Sequence, residues 1–140
     1  MRAVETVSVP GTLQGVRQAM LAFERFGRTH GLPAGAEWRV LLALDEILSN
    51  IVRHAAAAGD PGIDVTFSLV DGSVQVDVMD SAEPFNPLLA PPPDTQSPLS
   101  ERRPGGLGIA LVRQLMDETR YERHGSRNHF VMRCGPHADQ

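Results

Sequence analysis

Lysine is absent from this 140-residue chain, and all 13 of its basic residues are arginine. That excludes chemistry built on a phosphate-binding P-loop lysine or on a Schiff-base lysine. Cysteine occurs once, at Cys134, so no internal disulfide can form, and no Cys/His cluster has metal-ligand spacing. No apolar run approaches the ~18 residues of a membrane span, and "MRAVETVSVPGT" lacks the apolar core of a signal peptide. A cytoplasmic protein without membrane association is expected. There is no basic excess either: the net charge is −4, against the basic stripe of a nucleic-acid-binding domain. With 41% hydrophobic and 21% charged residues, the composition is that of an ordinary globular protein, and the length fits one domain with a real core.

Periodicity supplies the elements. "RAVETVSVP" is a β-branched strand ended by Pro10 and Gly11. Leu13, Val16, Met20 and Phe23 then recur at helical spacing, with Thr12 as the N-cap. "HGLPAG" breaks that helix, and Val40, Leu44, Ile47 and Ile51 form the stripe of a second, stronger one. Ile63, Val65, Phe67 and Leu69 alternate with polar residues, Asp71-Gly72 signals a hairpin turn, and Val74, Val76 and Val78 continue in the return strand. Pattern disappears between Ser81 and Pro104, where seven of the 11 prolines fall; a loop of that length is usually functional or disordered. A third helix is expected over about Leu107 to Met116, then a hairpin of "ETRYER", a turn at "HGSR" and "NHFVMRC". The order β-α-α-β-β-loop-α-β-β predicts an α/β two-layer sandwich, a mixed or antiparallel sheet with helices on one face.

Three stretches carry candidate chemistry. In "ALDEILSNIVRHA", Glu46 and Asn50 stand at i and i+4 and share a helix face, away from the apolar stripe. A carboxylate beside a carboxamide oxygen suits a hard cation such as Mg²⁺; the carboxylate could equally take a proton, and the pair is also compatible with a plain solvated face. In "VDVMDSAEPFNP", Asp80 ends a strand where the loop begins. It could accept a hydrogen bond from the exocyclic amine of an adenine, or merely start a turn. Gly105, Gly106 and Gly108 precede or open the third helix. Glycines there expose backbone N–H groups at the helix's positive end, an anion site; alternatively they end a loop and let Gly108 pack closely on the sheet.

Taken in order, "LALDEILSNIVRHA", "DVMDSAEPFNP", "GGLGIALVRQLMDETRYER" and "NHFVM" resemble the N, G1 and G2 boxes of the GHKL (histidine-kinase/gyrase-type) ATPase superfamily. Within it they are most similar to the anti-sigma-factor serine/threonine kinases, over roughly Val7 to Met132. The resemblance implies a histidine-kinase-type ATPase fold, one ATP-binding domain over 1–140 and a lid loop over about 81–104. Glu46 would match the general base and Asn50 the Mg²⁺ ligand. Asp80 would match the adenine-reading carboxylate, and Gly105, Gly106, Leu107 and Gly108 the phosphate-contacting turn. Arg53 and His54 fall where the family lines the nucleotide site, Phe85 where it packs under the lid, and Arg102 or Arg103 near the terminal phosphate. One position departs: the family's Asp-x-Gly is here Asp80-Ser81-Ala82. Alanine costs little if the backbone there has negative φ, and ~1 kcal/mol or more otherwise. The implied function is an ATP- and Mg²⁺-dependent anti-sigma factor that phosphorylates an anti-sigma-factor antagonist, binds a sigma factor and forms a homodimer, without contacting nucleic acid. The alternative is a non-catalytic partner-binding module with weak or structural nucleotide binding.

Overall fold

The computed structural model describes residues 2–55, 62–89 and 106–136. Five strands and three helices follow the expected order. β1 (Arg2–Val9) is followed by α1 (Leu13–His30) and α2 (Ala34–Ala55), then by β2 (Ile63–Val70) and β3 (Ser73–Asp80). A 3₁₀ turn over Pro87–Leu89 comes next, then α3 (Gly106–Leu115), β4 (Glu118–His124) and β5 (Arg127–Cys134). The strands form one sheet in the order β1-β2-β3-β5-β4, with every neighbouring pair antiparallel.

Local chemistry sets the boundaries. Thr12 caps α1 in an extended conformation, its Oγ1 accepting from Gly15 N at 3.1 Å. Gly31 ends α1 at φ 68°, donating back to the carbonyls of the last turn, and Leu32 N reaches Gly27 O at 2.9 Å. Asp71 and Gly72 both have positive φ, which the tight β2–β3 hairpin turn requires. Gly15 is a close-approach position. A Cβ there would overlap the Pro10 carbonyl, a backbone group that cannot turn aside. Gly15→Ala should therefore cost about 1–3 kcal/mol or more, read as a lower midpoint in thermal denaturation. An unchanged midpoint would mean that the β1–α1 junction yields.

The helices cover one face of the sheet. Ile63, Val65 and Phe67 of β2, Val74, Val76 and Val78 of β3, and Phe130 and Met132 of β5 point into a core shared with Phe23 and Phe26 of α1. Val40, Leu44, Ile47 and Ile51 of α2 and Ile109 and Val112 of α3 complete it. Phe67 meets Phe23 edge-on at 5.2 Å and lies 5.6 Å from Phe26, tying α1 to mid-sheet. The four-residue stripe expected on α2 is fully buried. On α1 the stripe is shifted: Leu13 is 68% exposed, and Gly15, Val16, Ala19, Ala22, Phe23, Phe26 and Gly27 form the inner face. Small residues let α1 approach the sheet, and a reading built on large apolar residues passes over them. Among the described residues no helix is long and apolar enough to cross a membrane.

Candidate functional site

The C-terminal half of α2, the end of β3 and the start of α3 converge at one end of the sandwich. Glu46, Asn50, Arg53 and His54 ride on α2; Asp80 closes β3. Asn50 is 9% exposed and the Glu46 side chain 22% exposed, so this face of α2 is not a solvated one. It meets α3 instead. A Cβ built on Gly108 would overlap the Glu46 carboxylate. Gly108 is thus glycine to seat Glu46, not to pack on the sheet. Its N–H still lies in the first turn of α3, where backbone donors have no partner within the helix.

Two buried polar atoms here lack a hydrogen-bond partner among the described residues: Glu46 Oε2 and Asn50 Nδ2. An unpaired buried polar atom is costly, and both lie on the buried face of α2, with Gly108 of α3 against Glu46. Asn50 Oδ1 accepts from Arg53 Nη2, whose guanidinium also lies 3.8 Å from Glu46 Oε2. Burial pushes the Glu46 carboxyl above its ordinary value. Arg53 and the adjacent Asn50 side chain pull it down, and Asp45 adds a smaller upward push.

Asp80 is 3% exposed. Its Oδ1 accepts from Ala82 N and from Asn128 Nδ2, both at 2.9 Å. The first of these is a turn-forming bond, so the plain turn role is present. Asp71 is the one non-glycine residue with positive φ among those described. Ala82 therefore sits in backbone space open to any residue, and the departure from Asp-x-Gly costs no strain. Phe85 stacks on the His54 ring at 4.1 Å and 12°, so those two residues meet as one wall. The loop after Asp80 is not structureless at its start. The 3₁₀ turn is fixed by Asn86, whose Oδ1 accepts from Leu88 N at 2.9 Å, and by Arg113 of α3, which donates to Leu88 O at 2.8 Å.

Gly106 is the first residue of α3 and Leu107 the second. Gly105, Arg102, Arg103 and the part of the expected lid loop beyond Leu89 lie outside the described residues. Asn128 is the polar residue that sequence reading missed. It pairs with Asp80 across the β3–β5 ladder and is buried. A signal existed: Asn128 precedes Phe130, Met132 and Cys134 on the inward face of β5, and an inward polar residue needs a partner.

The helix carboxylate, the strand-end aspartate and the glycine at the start of α3 stand in the order in which sequence comparison finds a family. Residues 9–134 match the histidine kinase-like ATPase domain. The chain belongs to that family. This ATPase domain is 27% identical over 129 residues to the serine/threonine-protein kinase BtrW of Bordetella bronchiseptica, covering 91% of each chain. Its fold is similar to about a third of the chain in the structure of the RsbU and RsbW domains of Rv1364c from Mycobacterium tuberculosis (TM-score 0.68, 16% identity, 95% of this chain and 32% of that one). The SiaB–SiaC complex of Pseudomonas aeruginosa holds a second fold neighbour (TM-score 0.61, 15% identity, 93% of this chain and 88% of that one). The five-stranded antiparallel sheet with helices on one face is the fold expected for the GHKL superfamily.

Proposed function

We propose that this ATPase domain is a protein serine/threonine kinase and anti-sigma factor, phosphorylating a small anti-sigma-factor antagonist with ATP. The observation that carries the reading is the pair of orphaned atoms, Glu46 Oε2 and Asn50 Nδ2, buried where α2 meets the glycine start of α3. The kinase name borne by BtrW supports it.

The donor set fits a hard cation. Asn50 Oδ1 already accepts from a positively charged group, the Arg53 guanidinium, and Glu46 Oε2 faces the same group. The Arg53 side chain is 44% exposed, so it can turn outward. Asn50 Oδ1 would then hold Mg²⁺, which supplies charge neutralisation on the phosphates. The unpartnered N–H groups at the start of α3, Gly106 to Gly108, would cradle the phosphate chain, and Asp80 Oδ2 would accept from the adenine amine. His54 and Phe85 would bound the pocket. In the transfer step the substrate hydroxyl oxygen bonds to the γ-phosphorus, the bond to the β,γ-bridging oxygen breaks, and ADP leaves. Glu46 takes the hydroxyl proton. Phosphorylation would release the antagonist and free the domain, as a homodimer, to hold a sigma factor. The whole chain, 1–140, would act as one cytoplasmic unit with its lid over 81–104.

Calorimetry with Mg²⁺-ATP, followed by radiolabelled γ-phosphate transfer to small proteins that co-purify from the native cell, tests this. Binding plus serine or threonine labelling is expected. No binding at millimolar nucleotide would overturn it in favour of a non-catalytic partner-binding module. That second reading draws its motive from Ala82, whose ordinary backbone conformation removes the strain part of that motive. Asp80→Asn should weaken ATP about 10- to 100-fold, because the acceptor facing the amine becomes a donor. Titration of that variant with Mg²⁺-ATP reads the loss, and wild-type affinity would remove Asp80 from base recognition.

A further inference from the structure

Asn128 is 4% exposed and makes contacts on both sides of its amide. Nδ2 donates to Asp80 Oδ1 and Glu83 O at 2.9 Å, and more weakly to Ala82 O at 3.4 Å. Oδ1 accepts from Phe85 N and Arg123 Nη1, both at 3.1 Å, and from the Tyr121 hydroxyl. Arg123 Nη1 also donates to Ala82 O at 2.8 Å, and its Nε donates to Gly125 O at 3.1 Å. Every neighbour of Nδ2 is thus an acceptor and every neighbour of Oδ1 a donor. A flipped amide would face donors with donors and acceptors with acceptors, so surrounding chemistry dictates its orientation.

Two consequences converge on one pocket. Asp80 Oδ1 is committed to Ala82 N and Asn128 Nδ2, which leaves Oδ2 as the oxygen for a ligand. The backbone of residues 82–85 is pinned at Ala82 O, Glu83 O and Phe85 N, which fixes Phe85 against His54. We infer that Asn128, oriented by Tyr121 and Arg123, is a positioning residue that sets base specificity. It presents Asp80 as an acceptor to a purine nucleotide bearing a 6-amino group, and it holds the Phe85–His54 wall beside that base. This rests on the reading of the site as an ATP site, and it extends that reading to three residues of the β4–β5 hairpin.

The test compares Mg²⁺-ATP with Mg²⁺-ITP, whose base carries a carbonyl in place of the amine, by calorimetry on the full chain with thermal melting as the folding control. Wild type should bind ATP at least about tenfold tighter than ITP. In Asn128→Asp a carboxylate oxygen replaces Nδ2 and faces three acceptors. The ATP:ITP preference should fall at least about fivefold at pH 8. It should recover as the pH is lowered, because a protonated carboxyl again donates to Asp80 Oδ1; the wild-type ratio should stay flat. A purely structural role would not produce that pH-dependent recovery. Tyr121→Phe/Arg123→Gln keeps the Asn128–Asp80 contact and removes two donors to Oδ1; its preference should fall about fivefold. This variant decides the matter if Asn128→Asp shows no folding transition. An unchanged ratio in the folded variants, or a wild type that binds ATP and ITP equally, overturns the specificity role. A wild type that binds neither nucleotide overturns the ATP reading itself.

Discussion

Glu46→Gln is expected to slow phosphate transfer by about 10²–10⁴-fold, the range for loss of a general base, while Mg²⁺-ATP binding changes only a few-fold. The same substitution should stabilise the protein. Burial is the main cause of the raised Glu46 pKa, and Glu46 Oε2 is buried without a hydrogen bond. A carboxyl with a raised folded-state pKa contributes stability that is fully present below its ordinary value of 4.5 and is lost as the pH rises through the raised value. Ionising Glu46 in the folded protein is therefore unfavourable, a cost that glutamine lacks. The gain in Tm should be small at acid pH and grow as the pH rises, on the order of a few degrees. Kinetics show the other side of the same titration: wild-type transfer should fall as acid protonates Glu46, and that limb should vanish in the variant. Such a trade of stability for activity is common at functional sites. Wild-type transfer rates in Glu46→Gln would remove the residue from catalysis.

Gly108→Ala should nearly match that loss of transfer while leaving the Glu46 carboxyl chemically unchanged. The new Cβ would occupy the space of the Glu46 carboxylate. Because the obstructing atoms are the end of a flexible side chain, Glu46 moves and the fold survives. Misplacing a catalytic group by about 1 Å can cost on the order of 10²-fold in rate. The decisive measurement is the double variant. If Gly108 acts through Glu46, Glu46→Gln/Gly108→Ala transfers phosphate no more slowly than Glu46→Gln alone. Multiplying losses would instead show that the added Cβ also disturbs the phosphate cradle to which the Gly108 N–H belongs.

These two residues also mark how far the sequence could be read. Helix and strand follow from periodicities that lie within a few residues of one another, so the α2 stripe and the β2–β3 alternation were legible. The Glu46, Asn50 and Asp80 positions were legible as motifs in order. The reason for Gly108 was not, since the atoms that exclude its Cβ belong to a different helix. Nor was the ordered start of the loop after Asp80. Its backbone is pinned by Asn128, 48 positions away from Asp80, and bonds between side chain and distant backbone leave no periodic trace. Leu13 shows the converse error: an apolar residue at helical spacing, turned to solvent because α1 seats Gly15 and Val16 on Pro10 and the core.

The sheet order carries a last consequence, for folding. The β2–β3 and β4–β5 pairs are hairpins between adjacent segments, whereas β1 pairs with β2 only across both long helices, Arg2 meeting Val70 and Val9 meeting Ile63. Closing that long loop costs chain entropy before any contact rewards it. During synthesis β1 leaves the ribosome before β2 and must wait for it, with the α1–α2 pair available to collapse meanwhile. β1 is thus made before its partner and placed late, and mutations in it should speed unfolding more than they slow folding.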